Sequence, residues 1–573
     1  MEKQSAVVIG AGVAGLATAT LLSREGYQVT IIDRLDKPGG RAGEFTTSDA
    51  PGFRWDAGPS WYLMPEAFDH FYALCGTSTQ EQLDLIDLQP AYRVISEPAD
   101  PHTPEVLDIS PETVIDTFEK IEPGAGKRLA QYLDNATLVY EVAIHKFLYN
   151  NFTRPLNLMT REMVVHARLL AILLTRSLDA YAKTVACDIR LQQVLSYPAV
   201  FLSTQPKQAP ALYSLMSHTD LIQGPKYPRG GFTAVVESLI NLARDNGVHF
   251  ELGTEATEVV TFGKAQRGRH KLSSKPRVNP RVRGVRVRDG ETTRLIPADI
   301  VVSAADLKHT ETKLLPPHLR TYPEKYWVNR DPGLGTVLIY AGVKGKLPEL
   351  AHHSLLLSKD WGTDFDAVFG KEASPLDSKW SRSMYVSKTS ATDDNVAPEG
   401  YENLFVLIPT AAEPDLGHGN AFLEAAEDIN TSESMEVREE DPRVQDIAKQ
   451  AIDVIARWAG IEDLASRIVI SKTVGPQDFA QRFNAWDGGA IGPAHTLAQS
   501  AFFRGKNISS KVDNLYYAGA TTVPGVGVPL CLISAENIIK RVREDHTLGL
   551  LPCFQLQLSA AGTEMEEKSL RSC

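Results

Sequence analysis

Two glycine-rich turns limit what this chain can fold into more than anything else in it: Gly10-Ala-Gly-Val-Ala-Gly15 near the start and Asn514-Leu-Tyr-Tyr-Ala-Gly-Ala-Thr-Thr-Val-Pro-Gly-Val-Gly-Val-Pro529 near the end. The first alone says only that a backbone without side chains can approach an anion at a helix N-terminus. Its surroundings say more. Ala6-Val-Val-Ile9 is a short apolar run suited to a buried parallel strand, and Leu16 to Gly26 carries small and apolar residues at helical spacing. Tyr27 to Ile32 reads as the second strand and ends at Asp33. An acid there, roughly 20 residues past the glycines, is placed to accept hydrogen bonds from the hydroxyls of an unphosphorylated ribose. Strand, loop, helix, strand and acid in that order predict a Rossmann unit.

The second turn, returning from the far end of the chain, is what a long two-part cofactor such as FAD requires and what NAD does not. Pro38-Gly-Gly-Arg-Ala42 extends the anion site, because two glycines let backbone come close and Arg41 offers a forked cation to phosphate. Trp55-Asp-Ala-Gly-Pro-Ser60 is a further small-residue turn against which a flat ring could lie.

Composition bounds the alternatives. A chain of 573 residues, 43% hydrophobic and 23% charged, can bury a large core in two or three domains. A net charge of −12, with few basic residues interleaved with aromatics, argues against nucleic-acid binding. Five cysteines (Cys75, Cys187, Cys531, Cys553 and Cys573) without CxxC spacing fit a reduced cytoplasmic compartment. A first strand beginning by residue 6 predicts no secretory leader, and no apolar run reaches the roughly 18 residues of a bilayer span. No HExxH or paired His and Cys cluster occurs, so no metal is expected, and His145, His166, His218 and His495 read as structural.

Along the chain the cofactor domain reads as discontinuous, in pieces 1–72, 225–310 and 475–546, with a substrate domain from 73–224 and 311–474 and a tail over 547–573. The middle piece predicts an amphipathic helix over Phe232 to Ala243, strands at His249 to Leu252 and Thr257 to Thr261, and a hairpin of Val285 to Arg288 with Leu295 to Val302. The substrate side predicts helices over Ile115 to Ile121, Lys127 to Phe147, Thr160 to Thr184, Ile189 to Leu202 and Val444 to Trp458, with strands at Thr336 to Tyr340 and Asn403 to Ile408. The basic stretch Lys264 to Arg288 reads as a solvated loop insertion ahead of a lipid-headgroup patch.

With these turns in place, Gly39-Gly-Arg-Ala42, the Asp56-x-Gly-Pro turn, Tyr227-Pro-Arg-Gly-Gly-Phe232, Val301-Val-Ser-Ala-Ala-Asp306, Gly488-Gly-Ala-Ile-Gly492, Gln499-Ser-Ala-Phe-Phe-Arg504 and the carboxy-terminal turn together resemble the bacterial-type phytoene desaturase family, in order from about Val7 to Arg543. The resemblance implies an α/β fold, with a Rossmann-type FAD-binding domain of the flavin amine oxidase/phytoene desaturase superfamily and a mixed-sheet and helical substrate domain. It implies cofactor contacts from Gly10, Gly12, Val13, Ala14, Gly15, Asp33, Arg34, Gly40, Arg41, Ala42, Gly58, Pro59, Ser60, Gly519, Ala520, Val526, Gly527 and Val528. Ala256 stands where similar flavoproteins usually have a valine whose backbone meets adenine. FAD is expected to be non-covalent, since Asp487-Gly-Gly-Ala490 offers no cysteine to tether it.

What the resemblance implies chemically is desaturation of phytoene or a close acyclic relative: a hydride to the flavin, a proton to a base, and oxygen or a quinone as the final acceptor. Such a hydrocarbon is held by apolar burial, at roughly 25 cal/mol per Å², so an apolar tunnel is expected. The proton acceptor stays open. Glu162 and His166, at i and i+4 near the start of the helix over Thr160 to Thr184, with Arg168, could do acid–base work, and an ordinary polar helix face is the competing reading. The alternatives are a carotene isomerase or retinol saturase of the same superfamily, a flavin amine oxidase, and a non-catalytic isoprenoid-lipid-binding protein. A bilayer-borne substrate predicts peripheral membrane association, with the helix from Glu162 to Thr184 as the contact.

Overall fold

The computed structural model describes residues 3–100, 103–153, 165–263, 279–370, 375, 378–423 and 439–552. The Glu162 position and nearly all of the basic stretch from Lys264, up to residue 278, lie outside them.

The apolar run at the start forms the Ser5–Ile9 strand at the centre of a five-stranded sheet. On one side it pairs with Gln28–Ile32 and, beyond it, His249–Glu251; on the other with Ile300–Ser303 and then Leu515–Tyr517, every pair parallel. Parallel strands need crossovers and must be covered on both faces. The helices Val13–Arg24, Gly231–Asp245 and Val528–Val542 cover one face around a core that includes Val8, Leu16, Ile31, Leu239 and Ile538. An antiparallel sheet of Glu255–Phe262, Arg281–Asp289 and Thr292–Pro297 lies over the other, sharing a core with Val7, Ile9 and Val301.

One sequence expectation is corrected here. Leu295 to Val302 is not one strand: Thr292–Pro297 belongs to the antiparallel sheet and Ile300–Ser303 to the parallel one. Pro297 ends the first because it has no N–H for the ladder. Asp299 then fixes the corner, its carboxylate accepting from Ser5 N (2.8 Å) and Ser5 Oγ (3.0 Å).

The second large unit is a mixed sheet in the order Ile468–Val474, Leu334–Lys344, Tyr401–Ala411, Met384–Ser387, His353–Leu357, Tyr92–Ser96 and Glu105–Ile109. Alternation sorts its faces. Val337, Ile339, Ala341 and Val343 point to the Pro442–Ala459 helix, while Leu338 and Tyr340 point to the opposite core with Tyr92, Leu355, Tyr385 and Phe405. Helices Val114–Ile121, Ala125–Val142 and Ile189–Ser196 close over that second face through Phe118, Leu129, Tyr132 and Val194. The expectation of a mixed sheet with a helical cover therefore holds.

The helix expected over Thr160 to Thr184 is also corrected. In the described part it runs over Ala167–Thr175 and stops; a new one spans Leu178–Ala182. The break is tertiary in origin: Leu178 N donates to Ala209 O (2.8 Å), and Ser177 Oγ caps the new helix by accepting from Ala180 N (3.2 Å). Among the described residues no helix is long and apolar enough to cross a membrane. The start of the tail is anchored: Leu551 N donates to Glu536 Oε1 (2.7 Å), and the buried Lys540 ammonium reaches Gly549 O.

Candidate functional site

The amino-terminal loop is built for close backbone approach. A Cβ on Gly15 would lie 1.8 Å from Gly10 O, so the first turn of the Val13–Arg24 helix can pack on its own loop only with glycine there. Gly12 bridges Gly39, and Gly39 N donates to Ala11 O (2.9 Å), which joins the two glycine segments into one floor. Gly40 sits on Gly12, and Ala42 closes the following turn with its N–H to Gly39 O (3.1 Å). Asp33, at the strand tip, accepts from Ala11 N through Oδ2 (2.7 Å) and from Leu35 N through Oδ1 (2.9 Å). Burial raises its pKa while these N–H donors oppose the rise. The carboxylate thus shapes the loop from the position where the ribose was expected.

The two chain ends do meet. Gly519 follows the Leu515–Tyr517 strand, packs 3.5 Å from the Ala14 side chain on the position a Cβ would take, and donates its N–H to Ser534 Oγ (3.0 Å). Ala520 follows it, and its carbonyl accepts from Arg504. The turn continues through Val526 to Gly527, whose φ of +110° with ψ of 152° is a backbone state for glycine, and Val528 then opens the Val528–Val542 helix. The positive end of this helix's dipole faces the turn. Gly58 packs with its Cβ position 2.8 Å from Arg41 O, so the Gly58-Pro59-Ser60 turn lies on the same floor.

The expected cations have internal partners. Arg41 donates to Ala490 O (2.9 Å) and Ile491 O (3.3 Å), clamping the Gly488–Gly492 segment, while Arg34 binds the Gln481 carbonyl and Asn484 Oδ1 (3.2 Å). Ala256 lies in the antiparallel sheet opposite Val287 and packs against the core containing Ile9 and Ile32.

Three side chains to which sequence reasoning gave no role hold the site together. Asp306 caps the Leu307–Lys313 helix, accepting from Lys308 N (2.8 Å), and its other oxygen accepts from Trp486 N (3.3 Å). Buried Arg504 donates to Thr522 O (3.0 Å), Ala520 O (2.6 Å) and Pro493 O (3.2 Å), and burial lowers its pKa to about 10. His495 Nε2 accepts from Val526 N (3.3 Å), so the proton sits on Nδ1 beside Tyr213 OH (3.0 Å). Asp306 and Arg504 stood in motifs already singled out, and a lone acid or cation inside a glycine-rich motif was the available signal.

Beyond Ser60 the wall becomes aromatic. Trp61 stacks on His353 (4.6 Å between centroids) and packs against Tyr92, Tyr197, Phe201 and Tyr385. Phe45 stacks on Tyr340 at 4.3 Å, and Phe53 on Trp55 at 5.5 Å. Two carboxyls are buried beside this wall. Asp56 accepts from Phe232 N (2.8 Å) at the start of the Gly231–Asp245 helix, Asp220 accepts from Tyr92 OH (3.2 Å), and burial pushes each up to about 7.

Of the expected acid–base trio, Glu162 lies outside the described residues, His166 is half-buried just before the Ala167–Thr175 helix, and Arg168 is exposed on it. The helical i, i+4 pairing expected of His166 does not hold, because the helix starts after it. That helix leaves Ile172 and Leu174 exposed, with Val165 before it, and only Leu173 is fully buried. Leu497, Phe502 and Phe503 are exposed on a loop linked to the same region by the Phe152–Phe502 contact (4.5 Å) and by Tyr213 OH to Ser500 Oγ (2.7 Å).

A profile of the family described as flavin containing amine oxidoreductase matches residues 13–538. The chain is 35% identical to the carotenoid 3,4-desaturase of Haloarcula japonica, over 95% of this chain and 99% of that one. It is 31% identical to the zeta-carotene-forming phytoene desaturase of Myxococcus xanthus, over 94% and 93% respectively. Among solved structures, an oxidoreductase from Methanosarcina mazei superposes with a TM-score of 0.57 at 15% identity, covering 94% of this chain and all of that one, a likeness of fold.

Proposed function

Since the chain belongs to the flavin containing amine oxidoreductase family and is an FAD-dependent oxidoreductase, we propose that it desaturates an acyclic carotenoid, phytoene or a close relative, leaving a new conjugated double bond. The observation that carries this reading is end-to-end similarity to carotenoid desaturases, the Haloarcula japonica enzyme first. The aromatic wall from Trp61 to Tyr385 supports it: a polyene has no group to ionise, and flat rings supply apolar area and stacking faces.

The residues present fit FAD. The floor of Gly10, Gly12, Gly15 and Gly40 takes the pyrophosphate side, Asp33 the ribose end, and the Gly519 to Val528 turn with Ser60 the ring side; Arg41 lies at the junction, where it can add a phosphate to the carbonyls it already holds. When bound, the flavin supplies a two-electron acceptor for a hydride equivalent. The protein orients it, keeps water out and removes a proton from the substrate. FAD is held without a covalent bond, and oxygen or a quinone reoxidises it. The exposed apolar face of Ile172, Leu174, Phe502 and Phe503, with Arg168 and Arg176 beside the helix, rests on the bilayer surface that delivers the substrate.

The test is expression in cells that make only phytoene, followed by chromatography of the pigments. Products with longer conjugation are expected. Unchanged phytoene together with turnover of a cis isomer or of a saturable retinoid would replace this reading.

A further inference from the structure

Removing a hydride equivalent from one carbon leaves its neighbour's C–H bond acidic, and the second proton must leave a site walled by aromatics. One continuous hydrogen-bonded file leads away from the cofactor side. Ser60, next to the Gly58–Pro59 turn, has its Oγ 2.6 Å from Tyr385 OH, and Tyr385 OH is 2.7 Å from His353 Nδ1. His353 packs edge-to-face on His352, with ring centroids 4.5 Å apart. His352 Nδ1 is 2.7 Å from Thr392 Oγ1, on a half-buried residue at the surface end of the file. Ser60, Tyr385, His353 and His352 are all buried, and the Nε2 atoms of both histidines lack a hydrogen-bond partner among the described residues.

We propose that Ser60, Tyr385, His353 and His352 form a proton-exit path from the substrate face of the Gly58–Ser60 turn to the surface at Thr392. The proposal rests on the desaturation reading. In the step, the C–H electron pair becomes the second bond of the new C=C, and the proton passes to Ser60 Oγ. The Ser60 hydroxyl proton moves to the Tyr385 oxygen, and the Tyr385 proton to His353 Nδ1. The resulting imidazolium releases its Nε2 proton to His352, and the hydroxyls return to their starting state. Ser60 is the group next to the substrate; Tyr385, His353 and His352 act through it as positioning residues.

The groups facing the file favour transit over storage. Burial and the neighbouring His352 hold His353 well below the usual histidine range. Burial and Lys388 depress His352 to about 3, against the pull of Asp393. Tyr227 packs on His352 (4.6 Å) and donates to Asp393 (3.2 Å), while Trp61 and Tyr385 flank His353. A base this feeble suffices, because a C–H bond beside a cationic carbon is a far stronger acid than any side chain.

Two measurements on the FAD-loaded full-length protein decide the matter. Nitrogen-15 histidine NMR should find His353 neutral at pH 7 with its proton on Nε2 and Nδ1 accepting, and Y385F should shift the Nδ1 signal. A proton on Nδ1 would reverse the file and overturn the proposal without reference to activity. In single turnovers, Y385F and H353F should keep the bound-flavin spectrum and melting temperature, yet slow the reaction by about tenfold or more. The solvent deuterium isotope effect of the wild type should disappear in both. Rates within twofold of wild type in both variants would also overturn it. Failure of the desaturation reading looks different: wild-type protein that holds FAD but alters no acyclic polyene, with the tautomer result still deciding the file.

Discussion

The five-stranded parallel sheet and the seven-stranded mixed sheet are both buried on two faces, yet they offer opposite surfaces to what lies between them. The parallel sheet ends in loops where backbone is the surface: Gly12 bridges Gly39, and Gly15 packs on Gly10. The mixed sheet presents side chains, with Tyr92, Tyr340, Tyr385 and Phe405 on one face and Trp61 over them. A charged, hydrogen-bonding cofactor is gripped by main-chain amides; a featureless hydrocarbon can be gripped only by area. The difference teaches that damage to one region should be separable from damage to the other, and the predictions are ranked by how severely they test that separation.

The hardest test is Gly15→Val. A Cβ 1.8 Å from Gly10 O cannot be accommodated without moving the loop, and overpacking at a site backed by main chain should cost more than about 3 kcal/mol. The expected result is colourless protein with a lowered melting temperature, not rescued by added FAD. Yellow, stable protein would show that the loop is not the cofactor floor.

Arg41→Ala comes next and should be partial. It removes charge-assisted bonds to the Ala490 and Ile491 carbonyls and the cation available to phosphate, together about 2 kcal/mol, or roughly a thirtyfold loss in FAD affinity. Titration with FAD should restore activity. If excess FAD restores nothing, the guanidinium acts mainly by holding the Gly488–Gly492 segment, and the two regions are less separable than their surfaces suggest.

How much of this was legible in the sequence follows the same division. Motifs that act through backbone carry their function in glycine spacing, so the Rossmann order from Ala6 to Asp33 and the returning turn at Gly519 could be read directly. The aromatic wall could not: Trp61, Tyr92, Tyr197, His353 and Tyr385 come from segments up to some three hundred residues apart, and no spacing rule joins them. The long helix expected from Thr160 failed for a related reason, since its interruption at Ser177 depends on the distant Ala209 carbonyl. Arg504 was visible inside a motif, but its carbonyl partners at Pro493, Ala520 and Thr522 exist only in the fold.

A pH test probes the seam between the regions. Asp56 and Asp220 have folded-state pKa values raised to about 7 from an ordinary 3.8. The native protein therefore binds more protons than the unfolded chain between these values, and stability must fall as pH rises from about 4 through 7. The melting temperature should drop over that window, and Asp56→Asn with Asp220→Asn should flatten the drop, each by about 1–3 kcal/mol. Asn can still accept from Phe232 N and from Tyr92 OH, so the fold should survive. An unchanged profile would mean that both carboxyls ionise without penalty.

The mildest perturbation should leave both regions intact and touch only delivery of substrate. Replacing Leu170, Leu173 and Leu174 together would be a poor probe, because Leu173 is fully buried against Val139 and Ala211 and its loss would damage the core. Leu174 and Phe502 are 41% and 44% exposed and face solvent, so Leu174→Ser with Phe502→Ser removes only apolar surface available to a bilayer. Partial insertion of two such side chains contributes about 1–2 kcal/mol, so co-sedimentation with phospholipid vesicles should weaken roughly tenfold. FAD content and melting temperature should not change. Residual binding should fall with added salt if Arg168 and Arg176 meet anionic headgroups, since exposed charges are screened over about 10 Å at 0.1 M. Vesicle binding unaltered by both substitutions would remove this face as the membrane contact while leaving the chemistry behind it untouched.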